Sequence, residues 1–239
     1  MSVRSRRLVI SLMLPAVGFS ACGSDSGTSE VDADPSWQTE FGIDDCEPST
    51  VGGNEFFILD PGFQLVLESS TERLVITVLE ETKAVDGVET RVVEEREWRN
   101  GSLIEVSLNY FAACGTTGDV FYFGEGVDDY AGGEIVDHAG AWLAGEGDAQ
   151  PGLVMPAEPR VGMRYFQEIA PGVAMDRAEV VSLSHSLETP AGGFTDCLRT
   201  HEGSALKPNE SEFKTYAPGI GLIQDQSLVL VDYGFGVAP

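Results

Sequence analysis

Three features of this 239-residue sequence predict an all-β fold, an antiparallel barrel or sandwich of about ten strands. Apolar residues recur with a period near two from Phe56 onward. Turn signals interrupt them roughly every 8 to 15 residues, and no window of a dozen residues carries a 3.6 period. Leu65 and Leu67, then Leu74, Ile76 and Val78, predict two strands with a turn at Ser69-Ser70-Thr71. Asp86-Gly87 and Asn100-Gly101 suit two-residue hairpin turns, which need positive φ at both central positions. Ile104, Val106, Leu108 and Tyr110 alternate with Leu103, Glu105, Ser107 and Asn109, the pattern of a half-buried strand. Residues 63–124 therefore read as a β-meander ending in the aromatic strand Val120-Phe121-Tyr122-Phe123. The glycine-rich stretch 124–152 reads as mostly loop, with a brief buried strand around Trp142. Segments 163–169, 178–186, 194–199, 212–216 and 228–233 complete the set.

Ahead of this domain lies a different kind of sequence. Arg4, Arg6 and Arg7 form a basic start without acids, and Leu8 to Phe19 is mainly apolar. About 12 residues of helix span only about 18 Å, too short for a bilayer core of roughly 30 Å. The layout is that of an exported protein's signal peptide. Two small residues directly before Cys22 make the site resemble a lipobox, which implies cleavage after residue 21, diacylation of Cys22 and attachment to a membrane. The paired arginines do not separate general from twin-arginine export. Residues 22–37, rich in small, acidic and proline residues, are expected to be a flexible tether, and residues 38–239 the β domain. Glycine after Cys22 implies, by resemblance to other lipoproteins, outer-membrane sorting in a cell that has an outer membrane.

Loss of the leader takes the basic residues from 14 to 11 against 39 acids, so the net charge moves from −25 to −28. Such a chain is a poor partner for nucleic acid or anionic head groups. Once Cys22 is acylated, Cys46, Cys114 and Cys197 remain, enough for one intramolecular bridge in an oxidising compartment. Cys114–Cys197 is the expected pair, since both lie in or near strands, while the two pairings with Cys46 stay open.

Tyr110-Phe111-Ala112, Gly118-Asp119-Val120-Phe121-Tyr122-Phe123-Gly124-Glu125, Pro151-Gly152-Leu153-Val154-Met155-Pro156, Tyr165-Phe166-Gln167-Glu168 and Lys214-Thr215-Tyr216-Ala217-Pro218-Gly219 occur in that order. They resemble the signature of a group of bacterial secreted and lipoprotein β domains, over roughly residues 88–225. The resemblance implies a β fold and an envelope location, with no activity attached. Ala113-Cys114 and Gly126 depart from the group's pattern, which has glutamine and aspartate at the first two positions and aspartate at the third.

Motifs for chemistry are sparse. His138, His185 and His201 lack metal-ligand spacing, Ser184, Ser186 and Ser204 sit in no G-x-S-x-G elbow, and Gly124-Glu125-Gly126 is unsuited to phosphate. Glu125, Asp128, Asp129 and Asp148 are calcium candidates by composition alone, without a D-x-D-x-D-G loop. Tyr110, Phe121, Tyr122, Trp142, Tyr165 and Tyr216 are candidates to line a cavity for an apolar or sugar ligand, although core packing is the commoner use of aromatics in a β domain. The expected function is a non-catalytic, lipid-anchored envelope module that binds a small molecule or an envelope protein. The alternatives are a hydrolase with a dispersed site and a calcium-stabilised structural module.

Overall fold

A computed structural model describes residues 37–237. The leader, Cys22 and nearly all of the tether lie outside the described residues. After a short 3-10 turn (Ile43–Asp45) come β1 (Pro48–Ser49), β2 (Gly53–Asn54) and β3 (Phe57–Ile58). The meander follows as β4 (Phe63–Glu68), β5 (Glu72–Val85), β6 (Val88–Arg99), β7 (Ser102–Cys114) and β8 (Val120–Ala131). Short strands come next, β9 (Glu134–Asp137), β10 (Trp142–Leu143), β11 (Gln150–Met155), β12 (Arg164–Phe166) and β13 (Glu168–Ile169). A second meander ends the chain, with β14 (Asp176–Thr189), β15 (Gly192–Ser204), β16 (Lys207–Ala217), β17 (Gly221–Asp225) and β18 (Leu228–Phe235).

These strands form a nearly closed antiparallel barrel of 13 strands, ordered β12-β14-β15-β16-β17-β18-β4-β5-β6-β7-β8-β11-β13. The ends of that order are consecutive in sequence. Residues 164–166 pair with β14 and residues 168–169 with β11, so one extended segment joins both edges. Close backbone approach makes this closure feasible, since a Cβ on Gly152 would run into the Gln167 carbonyl.

Asp86 and Gly87 have φ of 48° and 78°, and Asn100 and Gly101 have 51° and 77°, as two-residue hairpins require. Two expectations are corrected. The glycine-rich stretch after residue 124 is largely strand, because β8 continues to Ala131 and turns back through β9. The disulfide is Cys46–Cys114 rather than Cys114–Cys197. The lead-in segment adds itself to the edge of the meander, with Pro48 opposite Cys114 and the Gly115 N–H donating to the Glu47 carbonyl at 2.8 Å. That brings the two cysteine Cα atoms to 5.2 Å, within bridging range. Cys197 is a buried free thiol on β15, which does not neighbour β7.

The interior has two unlike walls. On β18, β4 and β5, Leu228, Leu230, Leu65, Leu67, Leu74 and Ile76 build an apolar wall. The turn between β2 and β3 places Phe56 and Phe57 over its end, leaving a cavity of about 30 Å³, room for a single water rather than a ligand. The opposite wall is polar. On β7 the strand is where the alternation places it but its faces are reversed: Glu105, Ser107 and Asn109 are buried while Ile104, Val106 and Leu108 are only half-buried.

The bridge closes a loop of 68 residues, for which chain entropy gives about 4 kcal/mol. Replacing Cys46 or Cys114 with serine is expected to lower stability by roughly that amount in denaturant melts. Thiol titration of the Cys22→Ser protein should find one thiol, that of buried Cys197, reactive only after unfolding.

Candidate functional site

Among the described residues nine carboxylates are buried: Glu95, Glu97, Glu105, Glu125, Glu168, Asp176, Glu202, Glu212 and Asp225. The buried bases among the described residues are two, Arg91 and Lys214. Arg91 serves the fold, since its guanidinium donates to the carbonyls of Thr50 at 2.7 Å and Glu80 at 2.8 Å. Lys214 faces the acids. Strand alternation puts Glu212, Lys214 and Tyr216 on one face of β16, and register sets Asp225 directly opposite Lys214.

The Lys214 ammonium is fully buried, 3.7 Å from Glu202, 3.6 Å from Glu212 and 3.8 Å from Asp225. Burial alone would favour its neutral form, but Asp225, Glu202, Glu212 and Glu95 outweigh that and hold it above the ordinary lysine range. Glu202 is further fixed by the Thr200 hydroxyl at 2.6 Å and the Tyr216 hydroxyl at 3.1 Å. Asp176 lies on the next strand but one, opposite Ser204. Burial lifts its carboxyl to about 7; the Ser204 hydrogen bond and Lys214 pull it down, while Glu125 and Glu202 push it further up. Burial, reinforced by Glu202, also holds the Tyr165 and Tyr216 hydroxyls well above the usual tyrosine range.

Four of the six predicted cavity aromatics turn their polar ends toward this network. The Tyr122 hydroxyl donates to Asn109, Trp142 Nε1 to Glu168 at 3.4 Å, and Tyr216 to Glu202, while the Tyr165 hydroxyl is buried beside them. The other two pack elsewhere. Tyr110 lies under the Lys83 ammonium at 4.2 Å, and Phe121 packs against Phe41 with ring centroids 6.5 Å apart. Of the six, only Tyr216 borders the small apolar cavity.

The calcium candidates are not brought together. Glu125 is buried, Asp128 pairs with His138 at 2.9 Å on the surface, Asp129 stands opposite Asp137, and Asp148 is exposed. Among the described residues no group of three or more His, Cys, Asp or Glu side chains is arranged to hold a metal ion. The histidines are dispersed too, with His201 packed against the Phe213 ring at 4.9 Å and His185 facing Cys197 across β14 and β15. Sequence reading missed Glu95, Asp176, Glu202, Glu212, Lys214 and Asp225. The available signal was polar residues on both faces of one strand, as in Glu94-Glu95-Arg96-Glu97. No family model, curated protein or solved structure matches the chain.

Folded Asp176 keeps its proton to about pH 7, whereas the unfolded residue loses it near 3.8. The folded state therefore binds more protons between those values, and the stabilisation present at low pH is lost as pH rises through 7. Asp176→Asn is expected to remove that component, at most about 4 kcal/mol, flattening the fall in melting temperature between about pH 4 and 7. Lys214→Met should cost about 3–5 kcal/mol in denaturant melts, because it leaves Glu202, Glu212 and Asp225 buried without their cation. A loss below about 1 kcal/mol would show that the lysine is not needed to hold these acids inside.

Proposed function

We propose that this protein is an exported, lipid-anchored envelope module that binds a small polar ligand without transforming it, in the acid-lined half of its barrel. Small barrels with alternate residues pointing inward are suited to hold one such ligand. The observation that carries this reading is the polar wall. A fold needing only stability would fill the interior with apolar side chains, since replacing buried ion networks by well-packed apolar residues is often neutral or stabilising. Nine buried carboxylates are a feature that packing does not require.

Anchoring rests on the basic start, the apolar run and Cys22, and the envelope location agrees with the resemblance to secreted and lipoprotein β domains. The outer face of β5 and β6 carries Arg73, Glu94 and Arg96, which suits water rather than hydrocarbon, so the lipid rather than the barrel is the membrane attachment. One observation favours a hydrolase as the second reading: a carboxyl titrating near neutrality, hydrogen-bonded to Ser204. Against it, no histidine among the described residues hydrogen-bonds a serine hydroxyl, so a nucleophile with its base is not assembled.

Native mass spectrometry of the full-length chain, extracted from membranes of producing cells in detergent, tests both halves of the proposal. The expected spectrum shows an acylated Cys22 and a retained small molecule, with Cys22→Ser releasing the protein to the soluble fraction. An unacylated chain would overturn the anchor, and a bare polypeptide mass would overturn the binding reading.

A further inference from the structure

Three buried oxygen atoms lie without partners among the described residues at the barrel's closure: the Tyr165 hydroxyl, Gln167 Oε1 and Asp176 Oδ1. Their residues are 0%, 1% and 3% exposed. Register places them together. Phe166 pairs with Arg177, and the Gln167 N–H donates to the Asp176 carbonyl at 2.7 Å, so Gln167 and Asp176 are cross-strand neighbours. Phe166 and Arg177 both meet Trp37 on the outer side, with the Arg177 guanidinium 4.4 Å over the indole. Their alternates Tyr165, Gln167 and Asp176 therefore share the inner face.

All three atoms can accept hydrogen bonds, and an unsatisfied buried acceptor is unfavourable. The field around them is negative. Glu202 acts on both Tyr165 and Asp176, and Glu125 acts on Asp176, against the single positive charge of Lys214. We propose that this corner of the interior binds the primary ammonium group of a small amine, directing one N–H to each of the three oxygens. An ammonium brings three donors, no acceptor and one positive charge. A water brings two donors and no charge, and a hard metal ion asks for six to eight oxygens. This inference rests on the binding-module reading and names the chemistry of its ligand.

Binding an ammonium requires Asp176 to give up its proton, in the field of Glu125, Glu202, Lys214 and Ser204. Affinity should therefore rise about tenfold per pH unit up to about pH 7 and level off above it. The test is calorimetric titration of the full-length chain in detergent with methylammonium, between about pH 5.5 and 8, against tetramethylammonium, which has the charge but no N–H donor. The expected result is methylammonium binding with that slope and no binding of tetramethylammonium. Asp176→Asn should abolish the slope, and Tyr165→Phe should weaken binding severalfold while keeping it. Equal binding of both cations, or calcium binding through the same residues, would overturn the inference. So would methylammonium binding that ignores pH or survives Asp176→Asn unchanged. If methylammonium fails to bind but the native spectrum retains a neutral or anionic molecule, the amine inference falls and the binding-module reading stands. A bare chain in both experiments removes both.

Discussion

A charge taken out of water needs a counter-charge, a proton or a set of donors, and this barrel applies that requirement to one whole wall. Lys214 is where the requirement is met. It is one fully buried ammonium among Glu202, Glu212 and Asp225, contributed by three successive strands. The register of β15, β16 and β17 is bound to this arrangement. A slip of one residue would turn Lys214 outward and leave the carboxylates of its neighbours facing an apolar interior. The proton on Asp176 handles the acid furthest along this wall, where the attraction of Lys214 is opposed by Glu125 and Glu202. Ion pairing and protonation thus divide the task between them.

The apolar wall makes the polar one tolerable. Leucines and isoleucines of β18, β4 and β5 supply the burial that stabilises the barrel, and the lead-in segment is fastened to β7 by the Cys46–Cys114 bridge. Closure comes from the extended segment 164–169, shared between β14 and β11. That segment also delivers Tyr165, Gln167 and Glu168 to the interior, so the element that completes the fold also lines its polar side.

Much of the fold is legible in the sequence, because hairpin chemistry and period-two patterning are local. Asp86-Gly87 and Asn100-Gly101 carry the φ values their identities suggest, and the strands from Leu65 to Tyr110 lie where alternation puts them. The orientation of those strands is not local. On β7 the fully buried face is Glu105, Ser107 and Asn109, and a hydrophobicity pattern assigns such residues to water. Only their neighbours in space, the acids, tyrosines and lysine of distant strands, make the inward choice viable. The disulfide was illegible for a similar reason: Cys46 reaches Cys114 because the lead-in segment docks on a strand edge, which spacing alone does not encode. Of the aromatic candidates, Tyr122, Trp142, Tyr165 and Tyr216 reach the polar wall through their O–H and N–H groups, which period-two patterning does not foretell. The calcium candidates share a stretch of sequence, yet alternation and exposure scatter them.

The interior balances buried carboxylates against the ammonium of Lys214 and a proton on Asp176. Carboxyl-carbon nuclear magnetic resonance, following Asp176 through a pH titration, tests this balance. The expected midpoint lies near 7 and falls when Glu125 or Glu202 is replaced by glutamine. A midpoint near the ordinary 3.8, insensitive to those replacements, would mean that water reaches Asp176 and that the polar wall is not an enclosed site.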